Sequence, residues 1–303
     1  MPSETDGPLE ADAAKRSMGS ILLSAGDNYI PGPFFNAAAN SSFNPLFNSA
    51  YNTLFNETGY NDLRAEAGRV DITIMNILGF DASAVGNHEF DDTSAGMELV
   101  IEEDFRSPNG PASDRWVGAQ FPYLSANLDF SGDSALGNLY TSSILPNTDF
   151  RTGPAESLAN NNTVPKLAPA TTINVDGELI GVVGATTQLL STISSPSGTV
   201  GTAGNVNDMP ALAAVLQPVI DDLKNGDDNI SGNTDDVNKI VLVSHLQQLA
   251  LEQALAPLLS GVDVMIAGGS DTLLADSTDH LRSGDMAAGT YPQLGTNLDG
   301  DPV

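Results

Sequence analysis

Three observations predict an α/β fold for this 303-residue chain: short apolar runs alternate with helical stretches, a strong hairpin signal sits mid-chain, and the last third reads strand–helix–strand. In order, SILLSA (20–25) is a buried strand running into Gly26-Asp27-Asn28. Asp71 caps a helix through Ile74, Met75 and Leu78 that stops near Gly79. ASAV (82–85) is a short strand entering GNHEFDD, and FPYLSA (121–126) is another. TTINV-DG-ELIGVV (171–183) reads as a hairpin with a type I′ turn at Asp176-Gly177. KIVLV (239–243) delivers Ser244-His245 at its carboxyl end. A helix over 248–259 and the strand VDVMIA (262–267), ending at GGSDT, complete a crossover unit. Ligands bind at the carboxyl ends of such strands.

Composition narrows the function. Asp and Glu number 39 against 11 Lys and Arg, a formal charge of −28 that repels nucleic-acid phosphates and argues against duplex binding. The same charge suits a salty medium and attracts divalent cations. No apolar run approaches the roughly 20 residues of a membrane span, and MPSETDGPLEADAAKRSMGS has no signal-peptide pattern. The lack of cysteine excludes disulfides, thiolate metal sites and a Cys nucleophile, and fits an extracytoplasmic enzyme without disulfides.

Three segments read as insertions, near 41–60, 131–163 and 226–236. In the first, Phe43, Phe47, Tyr51 and Phe55 are spaced for helical packing. The second is turn-rich and predicts a surface excursion. The third places Asp227, Asn229, Ser231 and Gly232 as a Ca²⁺ loop would, but Asn238 stands where a bidentate Glu belongs, so a solvated loop is expected.

Asp27, Asn87, His88 and His245 each end or follow an apolar strand. Such oxygen and imidazole donors suit Mg, Mn, Fe or Zn, and a histidine that is not a ligand can serve as a general acid. GDN, GNHEFD and SH, in that order and each after a strand, resemble the calcineurin-like metallophosphoesterases, in the branch of bacterial 5′-nucleotidases and related alkaline phosphatases. Supporting stretches are FPYLSANLDF (121–130), LIGVVGATT (179–187) and VDVMIAGGSDTLLAD (262–276). The resemblance implies a four-layer sandwich, two facing mixed β-sheets flanked by helices, over residues 20–285, after a polar segment at 1–19.

It also implies roles and partners. Asp27 would bridge two divalent metal ions, Asn87 and His245 would bind the second, and His88 would assist the leaving alcohol, oriented by Asp91. Glu89 would hold the loop, while Asn28 and Asn127 are candidate substrate contacts. The implied substrate is a phosphate ester, foremost a nucleotide. The rivals are a broad alkaline phosphatase, a cyclic-nucleotide phosphodiesterase and an inactive metal-binding module. The implied location is periplasmic or secreted; oligomeric state is not readable.

Two elements of the pattern depart. No Asp-x-His on a buried strand precedes Gly26, since Asp6 and Asp12 lie in polar sequence. The closing Gly-His-x-His is replaced by Gly268-Gly269-Ser270-Asp271, so Asp271 is the candidate ligand there and favours a hard metal (Ca, Mg or Mn) over Zn. His280, in DSTDHLRSGD, is expected to be exposed. Two expectations stand together: a chain lacking an amino-terminal strand, with 286–303 opening a further carboxy-terminal region, and a divergent branch with a carboxylate-rich metal site.

Overall fold

A computed structural model describes residues 19–103, 116–152, 164–226 and 236–303. Asp6, Asp12 and the candidate Ca²⁺ positions Asp227, Asn229, Ser231 and Gly232 lie outside the described residues.

Two sheets face each other. The first carries Leu23–Ser24, Ala82–Ala84, Tyr123–Leu124 and Leu167–Ala168 in that order, all parallel. The second runs Val264–Gly268, Ile240–His245, Glu178–Thr186, Ala170–Val175 and Leu145–Pro146, antiparallel only across the central hairpin. That hairpin turns as expected, with positive φ at both Asp176 (54°) and Gly177 (93°).

Period-two alternation sorts the second sheet's side chains. Val182, Val241 and Val243 face inward onto Ala82, Ala84, Leu124 and Ala168, and Ile240, Leu242 and Val183 face the helices Met209–Asn225 and Leu249–Leu255. The first sheet is covered by Asn44–Leu54, Arg69–Leu78 and Thr93–Ile101, giving four layers. Between the sheets the approach is closest at Gly184, where a Cβ would sit 2.1 Å from the Leu124 carbonyl oxygen. Only glycine permits this, and it lets the Ala126 amide donate to the Gly184 carbonyl at 2.9 Å.

The aromatic stripe is core, as its spacing predicts. Phe47 and Tyr51 are buried edge-on to Trp116, with ring centroids 6.0 and 5.7 Å away. Other elements differ in detail. The strands expected at 20–25 and 121–126 pair only over Leu23–Ser24 and Tyr123–Leu124, because Gly26 (φ 90°) turns the first chain out of the ladder. Helix Arg69–Leu78 is entered through Gly68 in a left-handed conformation, which places Asp71 in the first turn rather than at the cap. The 248–259 helix is α-helical over Leu249–Leu255 and tightens to 3₁₀ at Ala256–Leu258, where Pro257 lacks an amide proton. The 131–152 part of the expected excursion is integrated: Leu136, Leu139 and Phe150 are fully buried, and Leu145–Pro146 forms a sheet edge. Among the described residues no helix is long and apolar enough to cross a membrane.

Candidate active site

Three strand ends converge. Gly26-Asp27-Asn28 leaves the first strand, Gly86-Asn87-His88 leaves Ala82–Ala84, and His245 is the last residue of its strand, paired with Thr186 and Gly268. The loops meet so closely that a Cβ on Gly86 would lie 2.3 Å from Asp27 Oδ1, and one on Gly26 would lie 2.7 Å from the Gly86 amide nitrogen.

Glu89 ties the two loops together. Its Oε2 accepts from the Asp27 and Gly86 amides at 3.0 and 2.9 Å, and its Oε1 accepts from the Asn28 amide at 2.7 Å. Burial pushes its carboxyl up to about 7, helped by the charge of Asp27 and opposed by these amide donors.

Asp27 occupies the centre, with a left-handed φ of 55°. Its Oδ1 accepts from the His88 amide at 2.9 Å, and its Oδ2 lies 3.0 Å from His245 Nε2. Burial opposes ionisation of Asp27, but the His245 contact and the His88 amide together hold its carboxyl below the usual value. His245 Nδ1 donates to the Ala25 carbonyl at 2.6 Å, which directs Nε2 into the cluster, 3.2 Å from Asn87 Oδ1. Burial lowers the basicity of this imidazole, and Asp27 more than restores it, leaving the pKa raised.

Here Nε2 lies within hydrogen-bond reach of both Asp27 Oδ2 and Asn87 Oδ1. A divalent cation could take that place, since one carboxylate, one amide oxygen and one imidazole nitrogen of fixed tautomer form a hard-donor set. The chemistry of this donor set fits a divalent ion. Among the described residues no group of three or more His, Asp or Glu side chains is arranged to hold a metal.

His88 stands beside this cluster, partly exposed. Its Nδ1 pairs with Asp91 Oδ2 at 2.5 Å, and Asp91 Oδ1 accepts from Ser194 Oγ at 2.9 Å. Burial lowers the His88 pKa, but the Asp91 bond and the charge of Asp27 outweigh it and raise the pKa overall.

Of the residues singled out in the sequence, Asp27, Asn87, His88, Asp91 and His245 come together. Asn28 and Asn127 are engaged within the framework. Asn28 donates to Ser83 Oγ and Tyr123 OH at 2.7 and 3.0 Å, and Asn127 exchanges two hydrogen bonds with the Thr186 backbone, both 2.8 Å. Asp271 and His280 are exposed, and among the described residues no hydrogen bond joins Asp271 to the cluster. Sequence reasoning missed Ser194, which is 103 residues from Asp91 and carries no local signal. It also missed Gln247, whose Nε2 donates to Asn87 Oδ1, although Gln247 lies only two residues past His245.

No family model matches the chain. The chain is 31% identical over 231 residues to the 5′-nucleotidase of Mus musculus, covering 76% of this chain and 30% of that one. It is 28% identical over 212 residues to a trifunctional nucleotide phosphoesterase protein of Bacillus subtilis (strain 168), covering 68% of this chain and 12% of that one. The crystal structure of a 5′-nucleotidase precursor from Thermus thermophilus superposes with a TM-score of 0.58 at 23% identity, over 97% of this chain and 40% of that one, and shows the shared fold. The chain belongs to the 5′-nucleotidase-like family of metallophosphoesterases. It spans about 30% of the length of the mammalian relatives it matches.

Proposed function

We propose that this chain hydrolyses phosphate monoesters in a metal-dependent reaction, with nucleotides as the leading substrate class. The observation that carries this reading is the convergence of Asp27, Asn87, His88 and His245 from three strand ends, in a chain whose relatives are named 5′-nucleotidases. When bound, a divalent ion supplies Lewis acidity toward phosphoryl oxygens and activates water as a nucleophile.

The protein's own residues supply the remainder. Asp27, Asn87 and His245 are the residues that would hold the ion, and Asn87 does so without adding charge that repels phosphate. His88 is the proton donor: with Nδ1 fixed by Asp91, its Nε2 gives a proton to the ester oxygen as the phosphorus–oxygen bond to the alcohol breaks and that from water forms, in line. Ser194 holds Asp91 in place for this task. Glu89 keeps both loops in register and touches no substrate.

The test compares AMP, an aryl phosphate and a cyclic nucleotide with added Mn²⁺ or Mg²⁺, for the parent chain and for His88→Ala. Preference for AMP, with turnover lost in His88→Ala and metal binding retained, supports the reading. Equal background rates for both chains on all three esters would sink it.

A further inference from the structure

We infer that Glu252 is the positioning residue of His245, holding its strand end from behind as Glu89 holds the other two loops; the inference rests on the metal-dependent reading above and deepens it. Strand periodicity sets the arrangement. Along Ile240–His245, Ile240, Leu242 and Ser244 share the face toward the helices, while Val241, Val243 and His245 share the face toward the first sheet. Ser244 is therefore a fully buried hydroxyl set in an apolar layer. Its Oγ lies 3.1 Å from Oε1 of Glu252, on the helix Leu249–Leu255, and 3.1 Å from the Ile266 carbonyl oxygen. One hydroxyl proton cannot serve both acceptors at once. Either the carboxylate accepts from Ser244, or the protonated acid donates to Ser244 while Ser244 donates to Ile266. Both arrangements join the helix, the His245 strand and its neighbour at the residue just before His245.

Stability alone does not account for this pair. Glu252 is 3% exposed, in the layer that holds Leu242, Leu246 and Leu255, and among the described residues its Oε2 has no hydrogen-bond partner. Burial raises its pKa, and Ser244, the Leu246 amide and the charge of His245 are among the groups that pull it back. An apolar pair of similar size would fill the layer at less cost. What the polar pair adds is a fixed place for the strand end. His245 depends on that place: its Nδ1 must reach the Ala25 carbonyl, at 2.6 Å, for Nε2 to stand 3.0 Å from Asp27 Oδ2. Groups one step removed from a metal-binding histidine set its orientation in this way.

The experiment compares the parent with Glu252→Gln, Glu252→Leu, Ser244→Ala and Leu216→Ala, the last opening a cavity in the same layer from the other helix. Three quantities are read: the melting temperature without metal, the downfield proton resonance of His245 Nδ1 in the metal-free chain, and Mn²⁺ affinity. AMP hydrolysis is followed alongside. With three histidines in the chain, the resonance is assigned by its loss in His245→Ala. Glu252→Leu should melt at or above the parent temperature, yet lose the Nδ1 resonance to exchange and bind Mn²⁺ about 10–100-fold more weakly. Ser244→Ala should show the same two losses. Glu252→Gln should keep the resonance and nearly the parent affinity, because an amide can either accept from or donate to the hydroxyl. Leu216→Ala should melt lower with resonance and affinity unchanged. If Glu252→Leu does not fold, loss in Ser244→Ala against retention in Glu252→Gln decides. Parent-like resonance and affinity in Glu252→Leu and Ser244→Ala would overturn the role of Glu252, and AMP hydrolysis by the parent would still support the hydrolase reading. Equal losses in Leu216→Ala would overturn it as a general loosening of the layer, and absence of the resonance from the parent would overturn the placement of His245 on which it stands. Loss of the resonance in Glu252→Leu with no AMP hydrolysis by the parent would keep the positioning role and remove the hydrolase reading.

Discussion

Glu89 is the residue on which the candidate site's geometry depends most directly. Its carboxylate accepts three backbone amides, from Asp27, Asn28 and Gly86, and the residue is 1% exposed. Glu89→Ala removes all three acceptors. A buried donor left without a partner costs about 1–3 kcal/mol, so even at the low end the loss is about 3 kcal/mol. Glu89→Gln is milder. With its oxygen toward Asp27 and Gly86 it keeps two acceptances and turns an NH₂ group toward the Asn28 amide, for a loss of about 1–2 kcal/mol. The order of stability is then parent, Gln, Ala, measured as unfolding free energy in urea. Both variants should also lower Mn²⁺ affinity, because Asp27 is held through the same bonds. Two variants within about 0.5 kcal/mol of the parent, or a Gln variant no better than Ala, would refute the reasoning.

Three further outcomes are expected. Gly184→Ala should fail to give soluble folded protein, or lose more than about 4 kcal/mol, since its Cβ would meet backbone atoms of Leu124 at 2.1 and 2.2 Å; expression and a thermal melt decide it. Asp133, buried, accepts from the Ala135, Leu136 and Gly198 amides and from Thr199 Oγ1; burial raises its pKa, but hydrogen bonds from Ser94, the Leu136 and Ala135 amides and Thr199 outweigh it and hold the pKa below the usual value. Its contribution to stability is therefore present above the unfolded value and lost as pH falls through the lower folded one, so Asp133→Asn should flatten the acid side of the stability–pH curve below about pH 4. His88→Ala should reduce kcat about 10²–10⁴-fold with Mn²⁺ affinity within about threefold of the parent, as expected when a proton donor rather than a metal ligand is removed.

Much of this was legible because it is local. GDN, GNHEFD and SH are short strings fixed at strand ends, and Asp176-Gly177 carries its turn chemistry in two residues. The aromatic stripe announces Asn44–Leu54 through helical spacing alone. What stayed hidden depends on distant chain meeting itself. Ser194 reaches Asp91, and Gly184 reaches Leu124, through contacts that no window of the sequence contains. Asn28 and Asn127 invite a ligand role by their position after strands, yet both are satisfied by Ser83, Tyr123 and Thr186 once the sheets face each other. Gln247 lies two residues past His245, yet its bond to Asn87 is visible only once the two loops meet.

A chain of net charge −28 is a poor host for an anionic substrate, and the arrangement of the cluster bears on that conflict. Two carboxylates lie at its heart, but they are treated differently. Glu89 is turned toward three backbone amides beneath the loops, and burial raises its pKa to about 7, so it carries only part of a charge at neutral pH. Asp27 faces the two histidines, and its charge is among the causes that raise the pKa of both His88 and His245. Asn87 contributes an oxygen without charge. At physiological salt, surface charges more than about 8 Å away are largely screened, so the local balance governs a phosphate once it has arrived. The remaining acidic surface then acts on the approach, slowing a dianion while concentrating divalent cations near the proposed site. Under the proposed reading, a site with one half-buried carboxylate, Asp27, beside the neutral oxygen of Asn87 would suit an acidic protein better than a carboxylate-rich one, because it would hold a cation without adding to the repulsion an anionic substrate must cross.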